Sequence, residues 1–201
     1  SVSREQHYVS LLNNSLTDGV IIVASAAAEF NSEAEIISVD PHVINPQYPS
    51  VQGTNYQGAR DVMNYLLNLG HTRIAFICGR PEIGSAIRRL NGYKDALTEA
   101  GIDIDESLIM PSDFSEETGR ERALDLFKME NPPTAIFASN DQTAIGVYQA
   151  AEELGISIPE DVSVVGFDNI SEAAYLGLTT VDQFLDEMGY VAVQMLISRI
   201  N

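Results

Sequence analysis

The chain has 201 residues, 45% of them hydrophobic, and carries 29 acidic against 11 basic side chains, a formal net charge of −18. That balance argues against phosphate-backbone recognition by this piece, since nucleic-acid affinity comes from clustered lysine and arginine. No run approaches the roughly 18 to 20 apolar residues that span a bilayer.

The predicted elements alternate between helix and strand. Residues 4–16 read as a helix with Val9, Leu12 and Leu16 on one side, and Thr17-Asp18-Gly19 turns the chain into a strand over Val20–Ala24. Residues 26–35 form a loop or weak helix, and Ile36–Val39 a short strand. Pro41, Pro46 and Pro49 make 40–53 irregular. Gln57–Leu69 is an amphipathic helix, with Ala59, Val62, Met63, Leu66 and Leu67 at i, i+3, i+4, i+7 and i+8, closed by Gly70. Ile74–Cys78 is the next strand; its cysteine is the only one in the chain, so an internal disulfide is excluded and a buried thiol in a reducing cytoplasm is expected. Gly79–Ser85 is a polar turn whose Ser85 is expected to cap a helix running to about Ala100.

Leu108–Met110 is a short strand, and Asp113, Phe114 and Ser115 lead into a helix over Glu116–Met129. The buried run Ala135–Ala138 then ends in Ser139, Asn140 and Asp141. The following helix carries Ile145, Val147, Tyr148, Ala151 and Leu154 and stops at Gly155. Ser163–Phe167 is a second buried strand ending in Asp168 and Asn169. After Leu178–Val181, a last helix buries Met188, Val191, Ala192, Met195 and Leu196. Two strands joined by a helix make a parallel βαβ unit, so the fold class is α/β with parallel sheets.

Ligands of open α/β sheets bind at the carboxyl ends of the strands, which puts weight on Asn140 and Asp168. A carboxylate there accepts hydrogen bonds from sugar hydroxyls or a purine. An asparagine offers both donor and acceptor to vicinal hydroxyls. Each has a plainer role as a helix cap or loop residue, and Asp141 is the expected cap of the helix after Asn140. His7, His42 and His71 are scattered, without metal-ligand spacing or a cysteine partner. His71 reads as support for a helix end. No nucleophile elbow, P-loop or GxGxxG pattern occurs. No enzyme, metal or cofactor is indicated.

Six segments taken in order, DGVII (18–22), GHTRIAFICG (70–79), RRLNGYKDAL (88–97), SNDQTAIGV (139–147), GISIPEDVSVVGFDN (155–169) and LTTV (178–181), resemble the effector-binding domain of lac-repressor/gal-repressor family transcription regulators. The resemblance implies two Rossmann-like lobes of periplasmic-binding-protein-like type. Residues 1–71 with 183–201 would form a partial N-terminal lobe and 72–182 the C-terminal lobe, with a ligand held between them. It places an effector-contacting arginine at Arg89, with Ser85 one turn earlier on the same side. Phe114 falls at an aromatic position that packs on a sugar or base, and Asp168 within the matching GFD. Gln57 stands where a relative has an acidic contact, with Tyr56 beside it; GTNYQGA departs there from the commoner pattern, which begins Asp-Asn. Gln183 is expected to line the hinge side of the cleft.

The resemblance further implies a homodimer and operator DNA bound through a helix-turn-helix module absent from this sequence. A first βα unit and the C-terminal strands of family members are also missing from it, so the C-terminal lobe is expected to be the more stable half. The expected function is allosteric control of DNA binding by a small molecule, a sugar or related polyol, without a membrane partner. The alternative is a periplasmic sugar-binding protein of a transporter, and the first residues of the parent gene, helix-turn-helix or signal sequence, discriminate the two.

Overall fold

The structure, a computed structural model, describes residues 2–12 and 17–201. The first helix is α1, Val2–Leu12, with Val9 buried; the expected apolar residue Leu16 lies outside the described residues. The chain divides into two compact units. The first comprises 1–53, 82–85 and 184–201, and the second 54–81 and 86–183.

The first unit holds a parallel sheet of β1 (Gly19–Val23), β2 (Glu35–Val39) and β3 (Ser50–Val51), in that order. The last helix, α7 (Leu185–Ile200), packs on it. Ile37, Val39, Met188 and Ala192 make its core, with Ile21, Val51, Met195 and Leu196 packed around them. Val191, expected on the apolar face of this helix, is exposed instead. The carboxylate of Glu5 accepts from the backbone amides of Ala26 and Ala27, which ties α1 to the loop after β1.

The second unit is built on a four-stranded parallel sheet in the order β5-β4-β6-β7: Ile109–Met110, Ile74–Ile77, Ala135–Ala138 and Ser163–Val165. The two central strands, β4 and β6, are buried along their whole length, as continuous apolar runs in a sheet covered on both faces must be. Alternate residues point to opposite faces. Ile74, Phe76, Ala135 and Phe137 join α2 (Asn55–Asn68) and α3 (Gly84–Glu99) in one core. Ala75, Ile77, Ile136 and Ala138 join α4 (Glu116–Phe127) and α5 (Asp141–Leu154) in the other. Two full cores in this unit against one small one in the first are the physical basis for expecting it to be the more stable half.

Several boundaries differ from expectation. Residues 54–71 belong to the second unit, because Ala59, Val62, Met63 and Leu66 of α2 share a core with Ile74 and Phe76. α2 also starts two residues early, at Asn55. α3 begins at Gly84, so Ser85 lies inside its first turn rather than ahead of it as a cap. A 3-10 turn, Glu106–Leu108, precedes β5. The short helix α6 (Ser171–Leu176), ended by Gly177 at φ 64°, had no signature in the sequence. Residues 178–182 extend the sheet only through isolated bridges, Val165 to Thr179 and Asp168 to Asp182.

Candidate functional site

The carboxyl ends of β4, β6 and β7 bring together polar groups from four segments. Arg89 comes from α3 and is 3% exposed, an unusual place for a guanidinium unless it is fully engaged. Its Nε donates to Asn55 Oδ1 at 2.9 Å, its Nη1 to the Ser139 carbonyl at the end of β6, and its Nη2 to Asp168 Oδ1 at 3.4 Å. The guanidinium carbon stands 3.8 Å over the centre of the Phe167 ring, a cation–π arrangement in a desolvated position. Arginine is suited to this because its planar fork binds at its edges and its face at once.

Asp168 follows Phe167 in the turn after β7. It and Asn169 both take positive φ, 118° and 57°, a conformation that polar residues of this size tolerate better than others. The Asp168 amide donates to the Val181 carbonyl at 2.9 Å, and the Gln183 side chain donates to Asp168 Oδ1 at 2.5 Å. The carboxylate therefore accepts from Arg89 and Gln183 while its side chain keeps some exposure to solvent.

Asn140 caps α5, its Oδ1 accepting from the Thr143 amide at 3.0 Å, while its Nδ2 donates to the Phe114 carbonyl at 3.2 Å. Asp141, expected to be that cap, is fully buried instead. It accepts from the Thr180 hydroxyl at 2.6 Å and from the Ile170 amide at 2.9 Å, and so fastens the turn that carries Asp168. Burial pushes its carboxyl above the usual carboxylate range, against the pull of these bonds. Phe114 sits at φ 72° with its ring against Gly79: a Cβ on Gly79 would stand 1.9 Å from the ring tip. The neighbouring Asp113 accepts from Ser115 and Thr118, which draws its carboxyl down to about 2.

Of the eight residues singled out by sequence, Arg89, Asp168 and Gln183 meet directly, and Asn140 and Phe114 are joined to each other beside Ser139. Ser85 is buried in the first turn of α3. Tyr56 and Gln57 are not brought to the cluster. The Tyr56 hydroxyl donates to Asp95 of α3 and the Gln57 amide to Asp61 of α2, both in exposed positions. Two residues of the cluster escaped the sequence reading: Asn55, 1% exposed, and Phe167. The helical period of α2 was signal enough for Asn55, since it stands four residues before Ala59 and seven before Val62 on the same face.

Among the described residues no group of three His, Cys, Asp or Glu side chains could hold a metal ion, and no helix is long and apolar enough to cross a membrane. The ring nitrogens of His71 contact the Thr134 and Ser163 hydroxyls. The cluster thus holds a fixed cation, a partly open carboxylate and amide groups.

Residues 63–201 match the periplasmic binding protein-like domain family. The chain is 39% identical to the HTH-type transcriptional regulator DegA of Bacillus subtilis (strain 168), over 92% of this chain and 58% of that protein. It is also similar to the crystal structure of a regulatory protein of the LacI family from Chloroflexus aggregans, with a TM-score of 0.88 and 26% identity over 99% of this chain and 74% of the other. A complex of the transcriptional regulator CelR with cellobiose superposes with a TM-score of 0.89 at 27% identity, over 100% of this chain and 64% of that one. The chain spans about three fifths of the length of the curated relatives it matches.

Proposed function

The chain belongs to the LacI/GalR family of transcription regulators, as its periplasmic-binding-protein-like effector domain, and from that premise we propose that it senses a neutral, hydroxyl-rich small molecule through Arg89 and Asp168. The observation that carries this reading is the buried Arg89 guanidinium, edge-on to Asp168 and face-down on Phe167, at the carboxyl ends of the strands. A sugar hydroxyl both donates and accepts, so it can bridge a carboxylate and a guanidinium. A phosphate would meet the Asp168 carboxylate at the same place. The cellobiose held by the similar CelR supports a sugar. Asn140 and Gln183 supply amide contacts, and Phe114 an apolar face for the ring. Gln57 remains a proposed contact on the resemblance, Tyr56 for lying beside it, and Ser85 for standing one turn before Arg89 in α3.

No covalent step is needed. A ligand shifts the regulator between two states by its difference in affinity for them and by nothing else. Operator DNA is the partner of a helix-turn-helix module elsewhere in the protein, and the working compartment is the cytoplasm.

A thermal-shift screen of the full protein against sugars, sugar phosphates and purines tests the reading. A ligand present at about 100 times its dissociation constant should stabilise by about 2.7 kcal/mol. Asp168→Asn, which keeps the backbone preference and removes the charge, should lose most of that shift. A shift with a sugar phosphate that survives Asp168→Asn would sink the proposal of a neutral ligand at this carboxylate.

The partner of the chain is proposed to be a second copy. Tyr148, Ile158 and Leu176 are shared between two adjoining hollows of about 450 Å³ each on the outer side of α5, and Tyr175 beside them is 90% exposed. Apolar surface gathered in one place marks an interaction site. Sedimentation should give a dimer that Leu176→Glu dissociates by at least about tenfold in its constant; an unchanged dimer would place the contact elsewhere.

A further inference from the structure

We propose that Asn55 is a positioning residue: its side-chain oxygen fixes the plane of the Arg89 guanidinium, and with it the edge that meets Asp168. The inference rests on the reading of Arg89 and Asp168 as effector contacts and adds the group through which the arginine is held.

Asn55 opens α2, a place where asparagine ordinarily caps the helix. The N-cap position here is Thr54, which makes no side-chain cap hydrogen bond. Asn55 is turned inward instead, onto the face of Ala59, Val62, Met63 and Leu66. A primary amide among apolar neighbours is costly unless it is hydrogen bonded. Its partner is Arg89 Nε, 34 residues away in sequence and 2.9 Å away in space.

The choice of Nε matters. That nitrogen sits at the root of the guanidinium, so an acceptor on it stops the rotation that would let the plane swing. Ser139 O on Nη1 and the Phe167 ring beneath the face complete the restraint. With the plane held in these three ways, Nη2 is brought to 3.4 Å from Asp168 Oδ1. The same helix also makes room for the ring: a Cβ on Gly58 would lie 2.8 Å from the tip of Phe167. α2 thus delivers both the acceptor at the edge of the guanidinium and the space for the ring under its face.

The test follows the Nε–H signal of Arg89 in the 15N-labelled full chain, assigned by its disappearance in Arg89→Lys. Asn55→Leu keeps the volume and removes the acceptor; Asn55→Asp keeps the acceptor. Slow exchange of the Nε proton with solvent is expected in the parent and in Asn55→Asp, and exchange faster by about tenfold or more in Asn55→Leu. If Asn55→Leu fails to fold, Asn55→Ser with a retained thermal transition reads the same quantity, because its shorter side chain does not reach Nε. Unchanged exchange in Asn55→Leu, or in Asn55→Ser where that variant takes its place, overturns the proposal. So does fast exchange in a folded Asn55→Asp. No ligand enters these measurements, so their failure is distinct from a failure of the effector screen.

Discussion

Arg89→Met should destabilise the second unit by about 3 kcal/mol, the range in which breaking a buried ion pair by removing one partner falls. The methionine keeps the length of the stem and removes the charge. Asn55 Oδ1 and the Ser139 carbonyl each lose the bond from Arg89, and Asp168 keeps Gln183. Asp168 retains some solvent contact, which holds the loss toward the lower end of that range. Arg89→Lys should recover only part of it, because an ammonium cannot reach three acceptors along a planar fork and lie on Phe167 as well. The double variant with Asp168→Asn should be less harmful than the sum of the two single ones by about 1 kcal/mol, as expected for groups in one network. Urea denaturation followed by circular dichroism measures all four. A loss below about 1 kcal/mol for Arg89→Met would mean that the guanidinium is solvated and the cluster is not assembled in solution.

A comparable loss is expected from backbone packing alone, at the crossing of α4 and α5. Gly146 lies where the two helices touch backbone to backbone. A Cβ there would stand 2.1 Å from the Glu116 carbonyl oxygen and 2.5 Å from the Arg120 amide. On α4, Gly119 faces Thr143 in the same way. Neither neighbour is a flexible side chain, so only separation of the helices can relieve the overlap. Gly146→Ala should therefore cost about 3 kcal/mol, at the upper end for overpacking, even though alanine is the better helix former by about 1 kcal/mol. Gly189, in α7, has nothing within 4 Å of its would-be Cβ, and Gly189→Ala should stabilise by about 0.5 to 1 kcal/mol. Thermal denaturation of the two variants side by side should move in opposite directions. A neutral Gly146→Ala would mean that the helices are not in close contact.

What could be read from the sequence follows from where the physical signal lies. Ile74–Cys78 and Ala135–Ala138 are unbroken apolar runs between turn residues, which leaves little but a strand buried on both faces. Asp168 stands at the end of a strand whose order was legible and Gln183 just past the crossover, whereas Arg89, inside α3, was singled out by the family resemblance. The first unit was harder. β3 is two residues long in a proline-rich stretch, too short for any period to show. Residues 54–71, expected in the N-terminal lobe, fall in the second unit; a helix next to a boundary has the same apolar stripe whichever sheet it covers. Tyr56 and Gln57 follow Asn55, which takes the inward position at the start of that helix. Asn140 and Asp141 are both capping types, and sequence cannot rank them. The decision rests with Thr180 and Ile170, which claim Asp141 from 39 and 29 residues away.

The cap of α5 has a consequence of its own. Asn140 uses its oxygen on the Thr143 amide and its nitrogen on the Phe114 carbonyl. Each atom keeps spare capacity, a second lone pair on the oxygen and a second proton on the nitrogen, so only a ligand that displaces one of these bonds disturbs the turn. Drawing the oxygen away exposes the first turn of α5, and drawing the nitrogen away releases the turn that holds Phe114. An asparagine proposed as a contact would in that case also pass the event on to α5 or to Phe114. The amide proton of Thr143, buried at the head of a helix, would then report whether that bond is kept or displaced.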